Sequence, residues 1–330
     1  MPAVTDSYIR EQLEKRRERL TTAIASAPPE APATRFRELL AEVDAAMERM
    51  DAGTYGICEV CNDTVEPDRL IEDPLVRFCL DHLSGEERRA LEGDLDLAAT
   101  IQRGLLPPSS VRSHDWQIGY EYRAARVVSG DYCDIIEPEG DNGLIFLVGD
   151  VSGKGVAAAL LMSYLRAVFR SLLSAGRDID NLLEAANRLF CESTMAGQFA
   201  TLICGRAVGG GEVEIVSAGH CPALIISGQG IRQVGATGLP LGMFATSRYT
   251  VERTSLEPGD SLLIYTDGIS EARDAKGDDY GVDGISRFAH EWRAHMPREL
   301  AANCLKEVQG FSSGAPQADD QTVMVVRRMR

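Results

Sequence analysis

Gly149-Asp-Val-Ser-Gly-Lys-Gly-Val-Ala-Ala-Ala-Leu-Leu-Met162 is the stretch that decides how this chain is read. The apolar run Leu144–Val148 leads into it as a strand, and Val156–Leu173 leaves it as a helix. Between them the chain turns on Gly149, Gly153 and Gly155, with Asp150 at the strand end. The turn is not a phosphate-binding P-loop. Three residues rather than four separate Gly149 from Gly153, and no Ser or Thr follows Lys154.

Three other aspartate-bearing turns lie at the edges of strand-like runs: Ser129-Gly-Asp131-Tyr-Cys-Asp134, Tyr265-Thr-Asp267-Gly268 and Asp319-Asp-Gln-Thr322. Carboxylates gathered from four strand ends repel one another unless a divalent cation holds them. An all-oxygen set of this kind suits Mg²⁺ or Mn²⁺. The pair His220-Cys221 does not make a cysteine phosphatase of the His-Cys-x5-Arg type, because Ser227 stands where the arginine belongs.

Further strand-like runs fall at Gln117–Tyr122, Thr201–Val208, Glu212–Ser217, Leu224–Ile226, Ser261–Tyr265 and Thr322–Val326. Helices are expected at Ile179–Glu192, Gly284–His295 and Arg298–Val308. Strands grouped with strands and helices with helices favour an α+β layered fold for residues 111–330.

The N-terminal part reads differently. Ile9, Leu13, Arg16 and Leu20 share one helical face, and Phe36, Leu40, Val43, Met47 and Met50 another, with Pro28-Pro-Glu-Ala-Pro32 interrupting them. Residues 1–50 are therefore expected to form a helical hairpin or short coiled coil. Within 51–83, Cys58-x2-Cys61 and Cys79-x2-His82 are seventeen residues apart, a spacing that closes four donors around one structural Zn²⁺. Residues 84–110 read as a linker helix. Its stripe of Leu91, Leu95, Ala98, Gln102 and Leu105 suits pairing with a second copy, Gln102 setting the register, and so predicts a homodimer.

The chain's 330 residues are 44% hydrophobic and 25% charged, enough for at least one large core. Thirty-four basic against fifty acidic side chains leave a net charge of −16, which argues against a nucleic-acid or anionic-membrane partner. Residues 51–106 carry 5 basic and 13 acidic groups, so the finger is poorly charged for DNA. With no signal-peptide run at the start and no apolar run near ~20 residues, a cytoplasmic location is expected, and the clustered cysteines point to metal rather than disulfides.

Two resemblances follow. Ala46-Ala-Met-Glu-Arg-Met-Asp-Ala-Gly-Thr-Tyr-Gly-Ile-Cys-Glu-Val-Cys61 resembles the DksA/TraR zinc-finger family, with His82 where many members carry a fourth cysteine. A transcription regulator that binds RNA polymerase through this finger and hairpin is thus an alternative reading. The members that act inside RNA polymerase carry acidic residues at the hairpin tip, whereas this tip is short and proline-rich.

From residue 95 onward the aspartate turns, together with Ala99-Thr-Ile-Gln-Arg-Gly-Leu-Leu-Pro107, Ala218-Gly-His-x-Pro222, Leu239-Pro-Leu-Gly242 and Pro258-Gly-Asp-x-Leu-Leu-Ile-Tyr-Thr-Asp-Gly-Ile-Ser-Glu-Ala272, are similar to the PPM-type Ser/Thr phosphatases of the SpoIIE/RsbU group. That resemblance implies an αββα sandwich with two Mn²⁺ or Mg²⁺. Asp150 would bridge both ions, the Val151 carbonyl would bind one, Asp267 and Asp319 would hold the other, and Asp131 would reach the site. Asp134, Asp320 and Glu271 would stand behind them. Ser152 occupies the place where eukaryotic members carry a histidine. The implied substrate is a phosphorylated protein, specifically an anti-anti-sigma factor of the STAS type.

Overall fold

The apolar periodicities resolve into two compact units, Met1–Asp94 and Leu95–Arg330, in a computed structural model. It describes residues 3–26, 34–82, 85–138, 143–194, 197–312 and 317–330; the proline-rich tip at 28–32 lies outside the described residues.

In the first unit, helices α1 (Ala3–Ser26) and α2 (Thr34–Asp51) run antiparallel, as two ion pairs record: Arg10 with Asp51 at 2.8 Å and Arg17 with Asp44 at 2.6 Å. Ile9 and Leu13 of α1 pack with Val43 and Ala46 of α2, and the same core takes in Cys58, Val65, Leu70 and Cys79. The cysteine segment is thus part of the hairpin's own core. Phe36, expected on the paired face, is exposed instead. Helix α3 (Pro67–Glu72) starts on a proline, whose fixed φ suits a first helical position. Helix α4 (Gly85–Leu105) follows.

The second unit is built on two antiparallel sheets. The strands are β1 (Ser110–Ser113), β2 (Trp116–Arg123), β3 (Asp131–Ile136), β4 (Leu144–Val151), β5 (Ala200–Ala207), β6 (Glu212–Ala218), β7 (Ala223–Ser227), β8 (Gly230–Val234), β9 (Glu252–Ser255), β10 (Ser261–Tyr265) and β11 (Gln321–Arg328). One sheet runs β1-β2-β11-β10-β7-β8 and the other β3-β4-β5-β6-β9. Helices α5 (Val156–Ser174) and α6 (Ile179–Ser193) cover the five-stranded sheet, burying Met162, Leu165, Phe169 and Leu182 with Leu147 and Leu202. Helices α8 (Gly281–Trp292) and α9 (Pro297–Phe311) cover the other, burying Phe288 and Leu300 with Leu263 and Val325. A third core, with Trp116, Phe146, Ile203 and Met324, fills the space between the sheets. The order of layers is therefore helix, sheet, sheet, helix.

Both faces of β4 and β10 are covered, and this explains why they read as continuous apolar runs rather than alternating ones. Helix α5 is long and apolar enough to cross a membrane by composition alone, contrary to the sequence estimate. It lies on the five-stranded sheet. Two expected turns are strand. Gly130–Asp134 leads into β3, whose first five residues are buried, and β4 continues through Gly149 and Asp150 to Val151.

Candidate active site

Asp131 opens β3 and Asp150 lies near the end of β4, and the two are direct partners across the ladder. Thr266 and Thr322 both donate their hydroxyls to Asp131 Oδ2, the former at 2.9 Å. Thr266 directly follows β10, and Thr322 lies in β11, so Asp131 reaches from one sheet to the other. A backbone bond from Thr266 N–H to the Thr322 carbonyl, 3.1 Å, completes the junction. The Asp267 and Asp319 turns meet beside it. Asp267 opens the short helix α7 (Asp267–Ser270), and a Cβ placed on Gly268 would lie 2.0 Å from the Asp320 carbonyl oxygen, so only glycine permits the approach. Gly130 packs less tightly: its Cβ would stand 3.0 Å from the Val151 carbonyl oxygen and 3.5 Å from Asp150 Oδ1.

The charges confirm the crowding. Burial, and then the neighbouring Asp150, push Asp131 well above the usual carboxylate range. Burial followed by Asp267 and Asp319 raises Asp150 to about 7. Asp267 is raised as well, by burial, Glu271 and Asp319. Mutual elevation of this kind marks a site short of positive charge. The cation at hand is Lys154, from the turn after β4, whose Nζ lies 2.8 Å from Asp319 Oδ2 and 3.1 Å from the Ala318 carbonyl. A single half-exposed ammonium is a weak counterweight to such a cluster. The donor set, all oxygen and poorly neutralised, fits hard divalent cations.

Supporting residues separate cleanly from this group. Asp320 accepts from Ala125 N–H at 2.7 Å and Gly130 N–H at 2.8 Å, fixing the loop before β3. Asp134 points to the helical side and accepts two bonds of 2.7 Å from Arg170 of α5. Ser152 joins β4 to the entry of β5: its N–H donates to the Phe199 carbonyl, and its Oγ accepts from Phe199 N–H, both at 2.9 Å. His220 Nδ1 lies 2.8 Å from Thr201 Oγ1. Burial and then Asp267 push the Cys221 thiol up to about 11, the wrong direction for a nucleophile. Sequence reasoning missed the roles of Thr266, Thr322 and Lys154, and the pairing of Gln102 with Ser129, whose carbonyl accepts from Gln102 Nε2 at 2.7 Å and whose N–H donates to Gln102 Oε1 at 3.0 Å. The threonines and the lysine flank the aspartates directly, and that adjacency was the available signal.

In the first unit, donor atoms of Cys58, Cys61, Cys79 and His82 all lie within 4.8 Å of one another. The Cys61 and Cys79 sulfurs are 3.7 Å apart, and Cys79 Sγ is 3.2 Å from His82 Nδ1. A tetrahedron of thiolates ~2.3 Å from zinc has edges of about 3.8 Å. The set therefore fits zinc. Burial works against ionising Cys58, but backbone groups of Cys61, Cys79 and Val60 outweigh it and bring the thiol down to about 6.

Two antiparallel sheets between helical layers are also the fold of the PP2C phosphatase domain of SpoIIE from Bacillus subtilis, which superposes with a TM-score of 0.58 at 24% identity over 66% of this chain and 64% of that one. The family follows from the sequence match: residues 140–329 fit the profile of stage II sporulation protein E (SpoIIE), and the chain belongs to that family. It is 28% identical over 266 residues to protein IcfG of Synechocystis sp., across 71% of this chain and 41% of that protein. Phosphoserine phosphatase RsbU of Bacillus subtilis is 26% identical over 247 residues, covering 73% and 72%. The crystal structure of the RsbU and RsbW domains of Rv1364c from Mycobacterium tuberculosis superposes with a TM-score of 0.57 at 30% identity, covering 67% of this chain and 62% of that one. The match thus spans less than half of IcfG.

Proposed function

We propose that this chain is a metal-dependent protein phosphatase that hydrolyses phosphoserine or phosphothreonine on an anti-anti-sigma regulator of the STAS type, in the cytoplasm. The observation that carries the reading is the convergence of Asp150 with Asp131, Asp267 and Asp319, each of the first three held above its ordinary pKa range by burial and its neighbours. RsbU bears the name of a phosphoserine phosphatase, which supports the same reaction here.

Asp150 would bridge two Mn²⁺ or Mg²⁺, the Val151 carbonyl would bind one of them, and Asp267 and Asp319 the other, with Asp131 completing the set. Two such ions supply an activated water and neutralise the phosphoryl oxygens during in-line attack. The chain's own part is to place the ligands. Thr266 and Thr322 fix the Asp131 carboxylate by two hydroxyls. Asp320 ties down Gly130. Lys154, half exposed beside Asp319, offers an ammonium at the mouth of the site. Cys221 is held protonated and takes no part.

The DksA/TraR-like finger of Cys58, Cys61, Cys79 and His82 would hold one structural zinc and, with α4, serve as a regulatory module. Homodimerisation through α4 belongs to the same proposal. The test is phosphate release from a phosphorylated STAS protein with Mn²⁺ and in metal-free buffer, by the parent chain and Asp150→Asn. Release should require Mn²⁺ and fall at least ~100-fold in the variant, because one neutral amide cannot hold two ions. Equal rates in metal-free buffer would remove the proposal.

A further inference from the structure

The loop Leu239-Pro-Leu-Gly-Met-Phe244 lies at the catalytic end of the five-stranded sheet. Leu241 exchanges both backbone bonds with Ala200, at 2.8 and 2.9 Å, and Ala200 is the ladder partner of Val151. Two strand spacings, ~10 Å, therefore separate Leu241 from Val151. The shape of the loop is built in. Asn187 of α6 is fully buried and uses both ends of its amide on it: Nδ2 donates to the Phe244 carbonyl at 2.8 Å, and Oδ1 accepts from Gly242 N–H at 2.9 Å. Gly242 has a φ of 90°, and a Cβ there would lie 2.8 Å from the Phe190 ring. Although held this firmly, the loop turns three large apolar side chains outward: Leu239, Met243 and Phe244 are 51%, 45% and 60% exposed. Leu160 of α5, 66% exposed, extends the apolar surface towards the catalytic turn. It stands one helical turn before Tyr164, whose ring stacks on Phe190.

We propose that this loop is a docking ridge for a folded protein substrate, whose phosphorylated residue lies beside an apolar patch that seats on Met243, Phe244 and Leu160. The inference rests on reading the aspartate cluster as a site of phosphoprotein hydrolysis. A phosphoserine side chain is short, so the substrate backbone must come close to Asp150, and its surroundings land on whatever stands ~10 Å away. Here that is exposed methionine and phenylalanine, types enriched where protein partners meet. Because Asn187 and Gly242 fix the loop beforehand, docking costs little ordering, which suits a partner with a fixed face of its own. A second copy of the chain seated there would block the approach that a protein phosphatase must leave open.

The double substitution Met243→Gln and Phe244→Ser removes the apolar surface and keeps the backbone atoms that Asn187 holds. Met296→Gln serves as the control. Met296 is 40% exposed and follows His295, whose carbonyl accepts from Arg327 at the far end of β11 from Thr322. Parent and variants, as full chains with Mn²⁺, are assayed on a phosphorylated STAS protein and on p-nitrophenyl phosphate, with mass by light scattering. The double variant should raise KM for the phosphoprotein ~10-fold or more, the loss that truncating interface anchors brings. Its kcat, and its turnover of p-nitrophenyl phosphate, which is too small to reach the loop, should stay within about twofold. Met296→Gln should match the parent. An unchanged KM, an equal loss on p-nitrophenyl phosphate, or an equal loss in Met296→Gln would overturn the inference. So would a change of mass in the double variant, which assigns the loop to a second copy. A parent that turns over p-nitrophenyl phosphate but not the phosphoprotein overturns the substrate reading itself, and this inference with it.

Discussion

Arg170 of α5 donates two hydrogen bonds of 2.7 Å to Asp134 of β3, whose side chain is fully buried. The pair crosses the interface between the helical layer and the five-stranded sheet, three residues along β3 from Asp131. Arg166 stands 3.8 Å from the same carboxylate as a second, weaker partner. The bidentate geometry fixes the rotation of α5 over the sheet.

Removing one member of a fully buried ion pair costs ~3–5 kcal/mol, because the survivor keeps its charge without compensation. Here the guanidinium side is 41% exposed and Arg166 remains, so Arg170→Met should cost less, about 2 kcal/mol. Urea unfolding of the variant gives the figure. In a double-mutant cycle with Asp134→Asn the two losses should be less than additive. A destabilisation below ~0.5 kcal/mol would mean the pair is ornamental.

His220 makes stability depend on acid. Burial holds its pKa down at about 4, against ~6.5 for an unfolded histidine. The unfolded chain therefore takes up a proton that the folded chain refuses between those two values, and stability falls as pH drops from 6.5 towards 4. By pH 4.5 this one group should have removed ~2–3 kcal/mol. In His220→Asn, which keeps a polar partner for Thr201, that part of the decline should vanish. Denaturant titrations of both chains at pH 7.5 and 4.5 measure it; parallel pH profiles would show that His220 is protonated in the folded state.

Which features were legible in the sequence follows from how local their causes are. Cys58, Cys61, Cys79 and His82 stood out because a metal knuckle needs its ligands two residues apart. The helix α4 stood out by its spacing, but its working face did not. Gln102, assigned to a partner helix, bonds to Ser129 of the same unit, and the most exposed apolar residues of the helix, Leu97 and Ile101, lie outside the stripe. Strand β3 was hidden because Asp131 and Asp134 interrupt its apolar run. Their partners, Thr322 and Arg170, lie 191 and 36 residues away. A carboxylate that is buried because something distant receives it looks, in sequence, like a carboxylate in a turn.

The finger makes a separate prediction. Cys58 and Cys79 belong to the core that also holds Ile9, Leu13 and Val43. The purified chain should carry about one zinc, and Cys58→Ser should lose it and loosen the α1–α2 pair along with the knuckles. The unfolding transition of residues 95–330 should stay where it is. Zinc content by elemental analysis and hydrogen exchange of the two units report this; full zinc retention in the variant would remove the assignment.

The last prediction concerns α4 and a second copy of the chain. Leu97 and Ile101, one helical turn apart, are 59% and 58% exposed. Leu91, on an adjoining face, is 46% exposed. The opposite side of the helix is already engaged, with Ala99 and Gln102 buried. Covering a leucine or isoleucine fully is worth ~1.5–3 kcal/mol, so a paired helix has a driving force concentrated on this face. A homodimer contact on this face would lie beside the stripe expected from spacing rather than on it. The double substitution Leu97→Glu and Ile101→Glu sets like charges against each other across any two-fold pairing and leaves the Gln102–Ser129 bonds untouched. Light scattering at micromolar concentration should find the parent at twice the chain mass and the variant at the chain mass. Thermal unfolding of the variant should stay close to the parent's, because both side chains point away from the core. A monomeric parent, or a variant that still dimerises, would show that this face has another use.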